Sequence, residues 1–383
     1  MSEDEDLDAL GVKPGAVLIS GKTKYVVIKL LGEGGFGAVF LVQDMVSRER
    51  ERPAFALKVE KKLDSRRHSK LKMEIAILKA VNSIKQCGGE EKKDKAERFL
   101  RHFTEIIDRA KKDRYFFLVM QLVGKSLADL KYERRERVLS LGTGLSVSHQ
   151  CLEAVQCLHD VGYLHRDLKP ANYACGLKDK SHNIYLLDFG IARMYKKRNV
   201  QGGMEIKTPR DTVLFKGTVR FASLACHRNI EMGPKDDCES WFYLLLDLLV
   251  PKGLPWRRES DKIIVQKIKE SCRKNPDMLF NKIKCEEDLT KIFSYLNNLE
   301  YTDTVDYEYI YQLLEEAGKN CQVDLSAPYE WESLNPSSPL SLQPTSPISP
   351  TSPLTPTSPL TQSSPLSPIP TSAGHGGQDS IKK

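Results

Sequence analysis

The chain of 383 residues has no uninterrupted apolar run close to the ~20 residues needed to cross a bilayer. The best candidate, residues 241–250, contains Asp247, so we interpret it as a buried helix. Residues 1–6 are acidic and lack the apolar segment of a signal peptide. Nine cysteines occur without any C-x-x-C pair, which argues against a zinc site or a disulfide framework. We therefore expect reduced, mostly buried thiols and a cytoplasmic location, with the nucleus open as an additional location.

Positions 333–378 contain no Asp, Glu, Lys or Arg and are dominated by Ser, Thr, Pro and Leu. Such a stretch cannot bury enough apolar surface to offset the entropy of ordering, so we predict a disordered tail over 326–383. Its Ser-Pro and Thr-Pro pairs are typical sites for proline-directed kinases. Five of them recur at a strict period of three, at Ser346, Ser349, Ser352, Thr355 and Ser358.

The formal net charge is +7, yet residues 1–10 carry five acids and no base. The section between this acidic arm, predicted over 1–20, and the tail is therefore more basic than the whole chain. A basic body favours acidic or phosphorylated partners, and nucleic acid is the alternative. Because we find no interleaving of aromatic and basic residues that would favour RNA or DNA, we expect no nucleic acid partner. A merely solvated basic surface also remains open.

The run His-Arg-Asp-Leu-Lys-Pro-Ala-Asn at 165–172 is followed, sixteen positions after Asn172, by Asp-Phe-Gly at 188–190. This spacing predicts a phosphoryl-transfer site. Asp167 would orient the hydroxyl group of the substrate. Asp188 and Asn172 would hold Mg²⁺ against the phosphates of ATP. Eight matching residues with a correctly spaced partner make chance a poor explanation.

A glycine-rich segment at 32–39 lies upstream of that site and contains Gly32, Gly34, Gly35 and Gly37. Glycines let a backbone approach phosphates without interference from Cβ atoms. A dinucleotide-binding turn has a similar pattern but leads into a helix. Here residues 25–31 and 38–42 are rich in strand-forming side chains, which indicates a hairpin and a nucleotide phosphate loop.

Lys58 lies in a third strand-like run at 54–59, and a helix is predicted over 70–81 from apolar residues at helical spacing. Glu74 lies beside the apolar stripe of that helix, so we expect it to pair with Lys58 and to hold this lysine on the ATP phosphates. The alternatives are a solvated strand lysine and a surface pair of Glu74 with Lys70.

Residues 115–120 read as a buried strand that ends at the nucleotide pocket. Met120 would abut the adenine, Leu122 would belong to the hinge, and Val39 and Ala56 would pack on the adenine faces. Ordinary core packing is the alternative for these apolar residues.

Lys169, two positions after Asp167, is typical of serine/threonine kinases and would offset charge on the γ-phosphate. Thr218 would hydrogen-bond near both residues. A helical stripe that would hold this loop against the large lobe is formed by Val147, Cys151, Ala154, Val155 and Leu158.

Several further segments resemble the casein kinase I family of protein kinases. Residues 217–225 (Gly-Thr-Val-Arg-Phe-Ala-Ser-Leu-Ala) replace the Ala-Pro-Glu of most kinases, and 122–130, 235–240 and 254–256 also match this family. The Met-Gln-Leu hinge, Leu-Ala-Asp-Leu and Glu-Met-Gly at 231–233 are similar to the tau-tubulin-kinase-like branch, and most of all to its nematode paralogues.

The resemblance covers roughly 20–320 and implies an α+β bilobal kinase over 21–325. It would have a small antiparallel-sheet lobe (21–121) and a mainly helical lobe (122–325). Ala225 departs from the pattern of most kinases, because it stands where they have a glutamate that forms an ion pair under the activation segment. The insertion at 82–101 is unassigned.

The family prefers Ser or Thr three residues after an acidic or phosphorylated residue. By resemblance Arg220 would bind that phosphate, with Lys216, Arg210 and Lys267 as further candidates. The alternative is that these cations only solvate the segment.

For the tail, phosphorylation at Ser346 would prime Ser349 and then each later site, and the charged tail would compete with substrates. A non-catalytic adaptor that docks through the proline-rich tail is the rival function. The four retained residues that disfavour it are Lys58, Asp167, Asn172 and Asp188.

Overall fold

The computed structural model describes residues 10–21, 23–34, 37–47, 49, 52–62, 69–84, 97–280 and 283–332. Within these residues the predicted α+β class is confirmed, with an antiparallel sheet in the first lobe and mostly helices in the second. Gly35 in the glycine-rich segment, most of the insertion and the whole Ser/Thr/Pro-rich stretch lie outside the described residues.

The small lobe contains a six-stranded antiparallel sheet in the order β1-β2-β3-β4-β6-β5. The strands are β1 Val17–Ser20, β2 Thr23–Gly34, β3 Gly37–Asp44, β4 Ala54–Lys61, β5 Ile106–Lys111 and β6 Tyr115–Gln121. The predicted hairpin is confirmed, because β2 and β3 pair around Gly34 and Gly37. Alternate residues of β2 to β4, such as Tyr25, Phe40 and Leu57, are buried on one face of the sheet.

Helix α1 (Lys70–Ser83) packs on this sheet and extends two residues beyond the predicted end. The side chain of Ser69 accepts a hydrogen bond from the backbone N–H of Lys72, which is a typical N-cap. The buried face of the helix includes Leu71, Leu78 and, as predicted, Glu74. The sheet and the helix together therefore bring β4 and a buried glutamate to the same side of the lobe.

The large lobe is organised around two long helices, Leu141–Asp160 and Pro234–Leu249, which pack on each other. The helices after α1 are α2 Leu127–Tyr132, α3 Leu141–Asp160, α4 Leu224–His227, α5 Pro234–Leu249, α6 Lys262–Lys274, α7 Asp277–Phe280, α8 Glu286–Asn298 and α9 Tyr307–Asn320. The predicted apolar stripe lies on α3, and each of its five side chains is fully buried. Helix α5 confirms the buried helix expected over 241–250.

Short strand pairs hold the catalytic segments on this helical base. These strands are β7 Tyr163–Leu164, β8 Tyr173–Cys175, β9 Ile184–Leu186, β10 Arg193–Met194, β11 Lys196–Arg198 and β12 Met204–Ile206. β7 pairs with β10, and β8 pairs with β9. Because 165–172 follows β7 and 188–190 follows β9, the two motifs are brought to the same edge of the lobe.

The packed domain extends beyond both of its predicted limits, residues 21 and 325. Strand β1 lies within the proposed N-terminal arm, yet it pairs with β2 and buries Leu18. At the other end, the ring of Tyr329 is fully buried and stacks on His182. Its hydroxyl oxygen accepts a hydrogen bond from Gln150 Nε2 at 2.6 Å and shares another with Ser146 Oγ at 3.1 Å. Residues 326–332 therefore belong to the packed domain and not to the tail.

The cysteines are mostly buried, as the sequence predicted. Seven of the eight described cysteines are buried and all eight are free thiols. None of the helices in the described part of the chain combines the length and apolar character of a membrane span.

Candidate active site

A buried carboxylate on α5 anchors the catalytic loop, which comprises residues 165–172. Asp237 on α5 accepts hydrogen bonds from the backbone N–H groups of His165 (2.7 Å) and Arg166 (2.9 Å) and contacts Nε2 of His159 at 2.9 Å. Burial alone would raise the pKa of Asp237, but His159 and the other donors outweigh it and lower this pKa. Arg166 adopts a left-handed backbone (φ 68°), a strain that such anchoring can sustain near a functional site.

Asp167 is held by three side chains, two from its own loop and one from the segment that contains Thr218. Its Oδ1 accepts a hydrogen bond from Thr218 Oγ1 (2.7 Å), and its Oδ2 accepts one from Lys169 Nζ (2.8 Å). Lys169 Nζ also donates to Thr218 Oγ1 at 3.0 Å, so the predicted contacts of Thr218 are confirmed. Asn172 Nδ2 donates to the carbonyl oxygen of Asp167 at 2.8 Å. The carboxylate is therefore oriented before any substrate arrives.

Lys58 joins the two lobes through two carboxylates. Its Nζ lies 2.6 Å from Glu74 Oε2 and 3.3 Å from Asp188 Oδ1. Burial by itself would lower the pKa of Lys58, but both carboxylates outweigh it and raise this pKa. The predicted pair of Lys58 with Glu74 is therefore observed. Glu74 is buried, which does not match the surface position that the alternative pair with Lys70 assumed.

Asp188 and Asn172 offer oxygen atoms of the kind that Mg²⁺ prefers. Burial would raise the pKa of Asp188, but Lys58 and His165 lower it, so this carboxylate is ionised at neutral pH. The amide nitrogen of Asn172 is used by Asp167, which leaves the amide oxygen as the side-chain acceptor. The donor set therefore fits a hard cation that completes its shell with phosphate oxygens and water.

Phe189 fixes the segment that carries Asp188. Its ring is buried, stacks on Phe103 at 5.9 Å between centroids and meets His165 edge-on at 5.5 Å. Asp188 itself has a left-handed backbone (φ 61°), and the carboxylate is turned towards Lys58. The aromatic ring therefore points into the core while the carboxylate points into the cleft.

The four residues predicted to line the adenine pocket come together in one apolar cluster. Ala56 and Met120 are buried neighbours on β4 and β6, and Val39 and Leu122 pack against them half-buried. The cluster lies at the end of β6, where the chain leaves the sheet for the large lobe. The cluster therefore offers an apolar surface of the kind that the predicted adenine ring requires.

The glycine-rich hairpin covers the same cleft. A Cβ atom at Gly37 (φ 153°) would lie 1.9 Å from the carbonyl oxygen of Val59, so only glycine fits this close approach of β3 to β4. A Cβ at Gly32 or Gly34 would meet no protein atom of the described structure within 4 Å. These two glycines therefore border open space in which phosphates can approach the backbone.

The candidate phosphate-binding cations have different surroundings. Arg220 and Lys216 are exposed beside the catalytic loop, and Arg220 Nη2 donates to the carbonyl oxygen of Arg257 at 2.8 Å. Arg210 instead forms a bidentate pair with the buried carboxylate of Glu231. Lys267 is exposed on α6. Arg210 is therefore already engaged, whereas Arg220 and Lys216 face solvent.

Arg257 was not identified from the sequence, although it lies close to Arg220. Burial lowers the pKa of Lys131, Asp247 opposes this effect, and the charges of Arg220 and Arg257 lower the pKa further. Lys131, Arg220 and Arg257 therefore lie close enough to affect one another electrostatically, and Lys131 is paired with Asp247. The Arg-Arg dipeptide at 257–258 is the sequence signal that could have indicated it.

A second feature missed by sequence reasoning replaces the ion pair that Ala225 cannot form. Glu239 on α5 is buried, pairs with Arg273 at 2.7 Å and accepts a hydrogen bond from the backbone N–H of Leu224 at 3.0 Å. The predicted loss of the usual pair at Ala225 is therefore offset by a carboxylate from α5. Burial would raise the pKa of Glu239, but Arg273 outweighs it and lowers this pKa.

The end of the insertion is also anchored by charge. Arg98 and Arg101 pair with the buried carboxylate of Glu153 on α3, and His102 Nε2 lies 2.9 Å from the same carboxylate. His102 is followed by Phe103, which stacks on Phe189. This end of the unassigned segment therefore belongs to the packing around the active site.

Comparisons with known proteins agree with this geometry. The protein kinase domain family matches residues 25–301, which is more than half of the chain. A probable serine/threonine-protein kinase of Dictyostelium discoideum is 31% identical over 328 residues, which are 84% of this chain and 59% of that protein.

Two relatives from Caenorhabditis elegans are similar over most of their length. A putative serine/threonine-protein kinase is 33% identical over 85% of this chain and 86% of its own. A putative casein kinase I is 31% identical over 84% of this chain and 86% of its own. The chain belongs to the protein kinase family and is a protein serine/threonine kinase.

Proposed function

We propose that this kinase is of casein kinase I type and transfers the γ-phosphate of ATP to Ser or Thr in acidic or phosphate-primed proteins. The observation that carries the proposal is the exposed guanidinium of Arg220, which lies two residues from Thr218 and hence close to Asp167. A relative named as a putative casein kinase I supports the type. The motifs at 120–122, 127–130 and 231–233 support a tau-tubulin-kinase-like branch.

Asp167 is the residue that would orient the attacking hydroxyl. Its carboxylate is fixed by Thr218 and Lys169, so little reorganisation is needed when the substrate binds. Lys169 would place a positive charge beside the transferred phosphoryl group. Lys58, which Glu74 holds in place, would bind the α- and β-phosphates.

Mg²⁺ would be held by Asp188 and Asn172 and, when bound, would neutralise charge on the phosphates. Different contacts orient the two side chains that would hold the metal. Lys58 keeps Asp188 ionised and turned into the cleft. Asn172 is oriented by its bond to the backbone of Asp167, which keeps the metal ligand and the hydroxyl-orienting residue in one rigid loop.

Recognition of a phosphate three positions before the target residue is assigned to Arg220 and Lys216. Both are exposed, and Arg257 adds positive charge nearby. Arg210 is better interpreted as a structural partner of Glu231. Lys267 lies on the exposed face of α6 and is kept as a secondary candidate.

The test compares one peptide with and without phosphate at the −3 position. A hydrogen bond between charged groups contributes about 1.5–3 kcal/mol, so the phosphate should raise kcat/KM by about tenfold or more. Arg220→Ala should remove most of this gain and leave the unprimed peptide little changed. Arg228→Ala, another exposed arginine that pairs with Glu270, is the matched control.

Equal use of both peptides by the wild type would contradict the proposed specificity but not the kinase activity. A gain that survives in Arg220→Ala would move the phosphate site elsewhere, and Lys216→Ala and Lys267→Ala would then be compared.

We also propose that proline-directed kinases phosphorylate the tail and that serial priming from Ser346 makes it compete with substrates. The tail lies outside the described residues, so the proposal rests on the sequence repeat and on the basic surface near Arg220. The phosphorylated full-length kinase should have a higher KM for a primed peptide than residues 1–335 alone. Identical KM values in low salt would exclude this competition.

A further inference from the structure

A buried lysine holds the turn that follows the contact between Thr218 and Asp167. Lys269 on α6 has no exposed surface, and its Nζ donates hydrogen bonds to the carbonyl oxygens of Val219 (3.1 Å) and Ala222 (2.5 Å). Lysine is almost never fully buried, because its ammonium group loses its hydration. Such a position therefore indicates a specific task for this side chain.

The surroundings of Lys269 are polar and aromatic, and they contain no ion pair for it among the described residues. Its Nζ lies 4.8 Å from the ring centroid of Tyr243 and 5.0 Å from that of Trp256. His227 Nε2 lies 3.2 Å from the same Nζ atom. Glu239, the carboxylate whose charge raises the pKa of Lys269 against the effect of burial, pairs with Arg273 instead. The ammonium group is therefore directed at the backbone carbonyls of the turn.

Trp256 completes the set of donors. Its indole Nε1–H donates to the carbonyl oxygen of Arg220 at 2.7 Å. Three of the four carbonyls at 219–222 thus receive hydrogen bonds from Lys269 and Trp256. These carbonyls belong to an irregular segment, so the backbone geometry there depends on side-chain donors from the large lobe.

The same turn adjoins both parts of the chemistry. Thr218, which precedes it, bonds Asp167 and Lys169. Arg220, within it, presents its side chain to solvent. A shift of the turn by a fraction of an ångström would therefore move the catalytic contact and the substrate-facing arginine together.

We propose that Lys269 and Trp256 are positioning residues for phosphotransfer, which fix the turn at 219–222 so that Thr218 stays on Asp167 and Arg220 faces the substrate. This inference rests on the proposed role of Asp167. The competing explanation is that both side chains only stabilise the fold.

The experiment compares Lys269→Met and Trp256→Phe with the wild type. Methionine keeps the length and apolar stem of the lysine, so Lys269→Met removes the N–H donors with little change of volume. Phenylalanine keeps an aromatic ring, but Trp256→Phe removes the indole N–H and also leaves a cavity, because Trp256 is buried. Thermal unfolding reports the cost of that cavity. Lys274→Met, an exposed lysine at the end of the same helix, is the matched control. The measurements are kcat and KM for a peptide substrate, KM for ATP, and thermal unfolding.

If the residues position the turn, kcat/KM for the peptide falls by about ten- to a hundredfold while KM for ATP is unchanged. The nucleotide site, formed by Lys58, Glu74 and Asp188, is built from other elements. Amide hydrogen exchange should quicken at 218–224 but not on α5. A folded variant with wild-type kcat/KM for the peptide overturns the proposal, as does an equal loss in every kinetic constant.

Trp256→Phe keeps the test decisive if Lys269→Met does not fold, because it leaves no buried charge and removes one hydrogen bond to the turn. A folded Trp256→Phe protein with wild-type kinetics and exchange overturns the proposal. Asp167→Asn reports separately on the proposed function: wild-type activity there would refute the catalytic assignment, whatever the positioning variants show.

Discussion

Two lysines of this kinase meet opposite electrostatic surroundings, one in the nucleotide cleft and one beneath the turn at 219–222. Lys58 faces the carboxylates of Glu74 and Asp188, which raise its pKa against the effect of burial. Lys269 faces carbonyls and aromatic rings, and burial lowers its pKa to about 7, with Glu239 opposing the shift.

The difference shows what each region requires of its lysine. In the cleft the charge itself is needed for the proposed role of Lys58 in attracting phosphates, and two carboxylates hold the ammonium group in place. Beneath the turn the hydrogen-bond donors are needed, because carbonyl oxygens have to be satisfied and held in position. A neutral lysine still has two N–H donors and a charged one has three.

The largest effect expected from this comparison is loss of catalysis in Lys58→Met. Without the charge of Lys58, the phosphates of ATP would lose their main side-chain ligand. We therefore expect kcat/KM to fall by about a hundredfold or more. Lys61→Met, in the same strand, is the control and should keep its activity. Kinetics at saturating and subsaturating ATP provide the measurement. Substantial activity in Lys58→Met would contradict the assignment.

Gly217→Ala tests the junction between the two regions. A Cβ atom there would lie 2.6 Å from the carbonyl oxygen of Arg166, and the backbone is left-handed (φ 109°). We expect a loss of about 1–3 kcal/mol in the free energy of unfolding and a lower kcat.

Gly202→Ala is the matched control for that substitution. Gly202 is also left-handed (φ 84°), but a Cβ would meet no atom of the described structure within 4 Å. Its cost should therefore be limited to backbone strain, about 1–2 kcal/mol, with kcat unchanged. Similar kcat values for the two variants would remove the argument that the turn must approach the catalytic loop closely.

The smallest effect concerns the pH dependence of stability. The pKa of Lys269 is about 7 in the folded state, against an ordinary value of 10.5. Between these values the unfolded chain binds more protons, so the contribution of Lys269 to stability rises with pH across this window. The rise should amount to about 1 kcal/mol between pH 7 and pH 8.

Chemical denaturation of wild type and Lys269→Met at several pH values measures this contribution. The difference between the two proteins should carry the slope, whereas Lys274→Met should follow the wild type. Parallel pH profiles for wild type and Lys269→Met would show that Lys269 does not titrate in this range.

The arrangement of the proposed catalytic residues was predictable because phosphoryl-transfer chemistry imposes fixed spacings within short segments. Asp167, Lys169 and Asn172 lie on one loop, and the motif with Asp188 follows at a set distance. The hairpin, α1 and the apolar stripe of α3 were predictable for a similar reason, since local periodicity records which side faces the core. Lys58 and Glu74 were linked only by the expected fold, and their contact at 2.6 Å agrees.

The domain limits were predicted less well, because composition does not show which flanking residues pack. Residues 326–332 resemble the tail in lacking a regular pattern, yet the ring of Tyr329 fills a site beside α3. Glu239 likewise replaces the missing carboxylate at Ala225 from a different helix. Such contacts join residues far apart in sequence, so no local pattern records them.

The sequence by itself determined the class of chemistry of this kinase, and it indicated the carboxylates, amides and ammonium groups to which we assign the phosphate and the hydroxyl as a proposal. The tertiary structure decided which of several similar cations is buried, paired or free to meet a substrate. Lys267 and Lys269 are two residues apart on α6, yet the first is exposed and the second fully buried. Their difference arises because burial depends on what the rest of the chain places against each face of the helix.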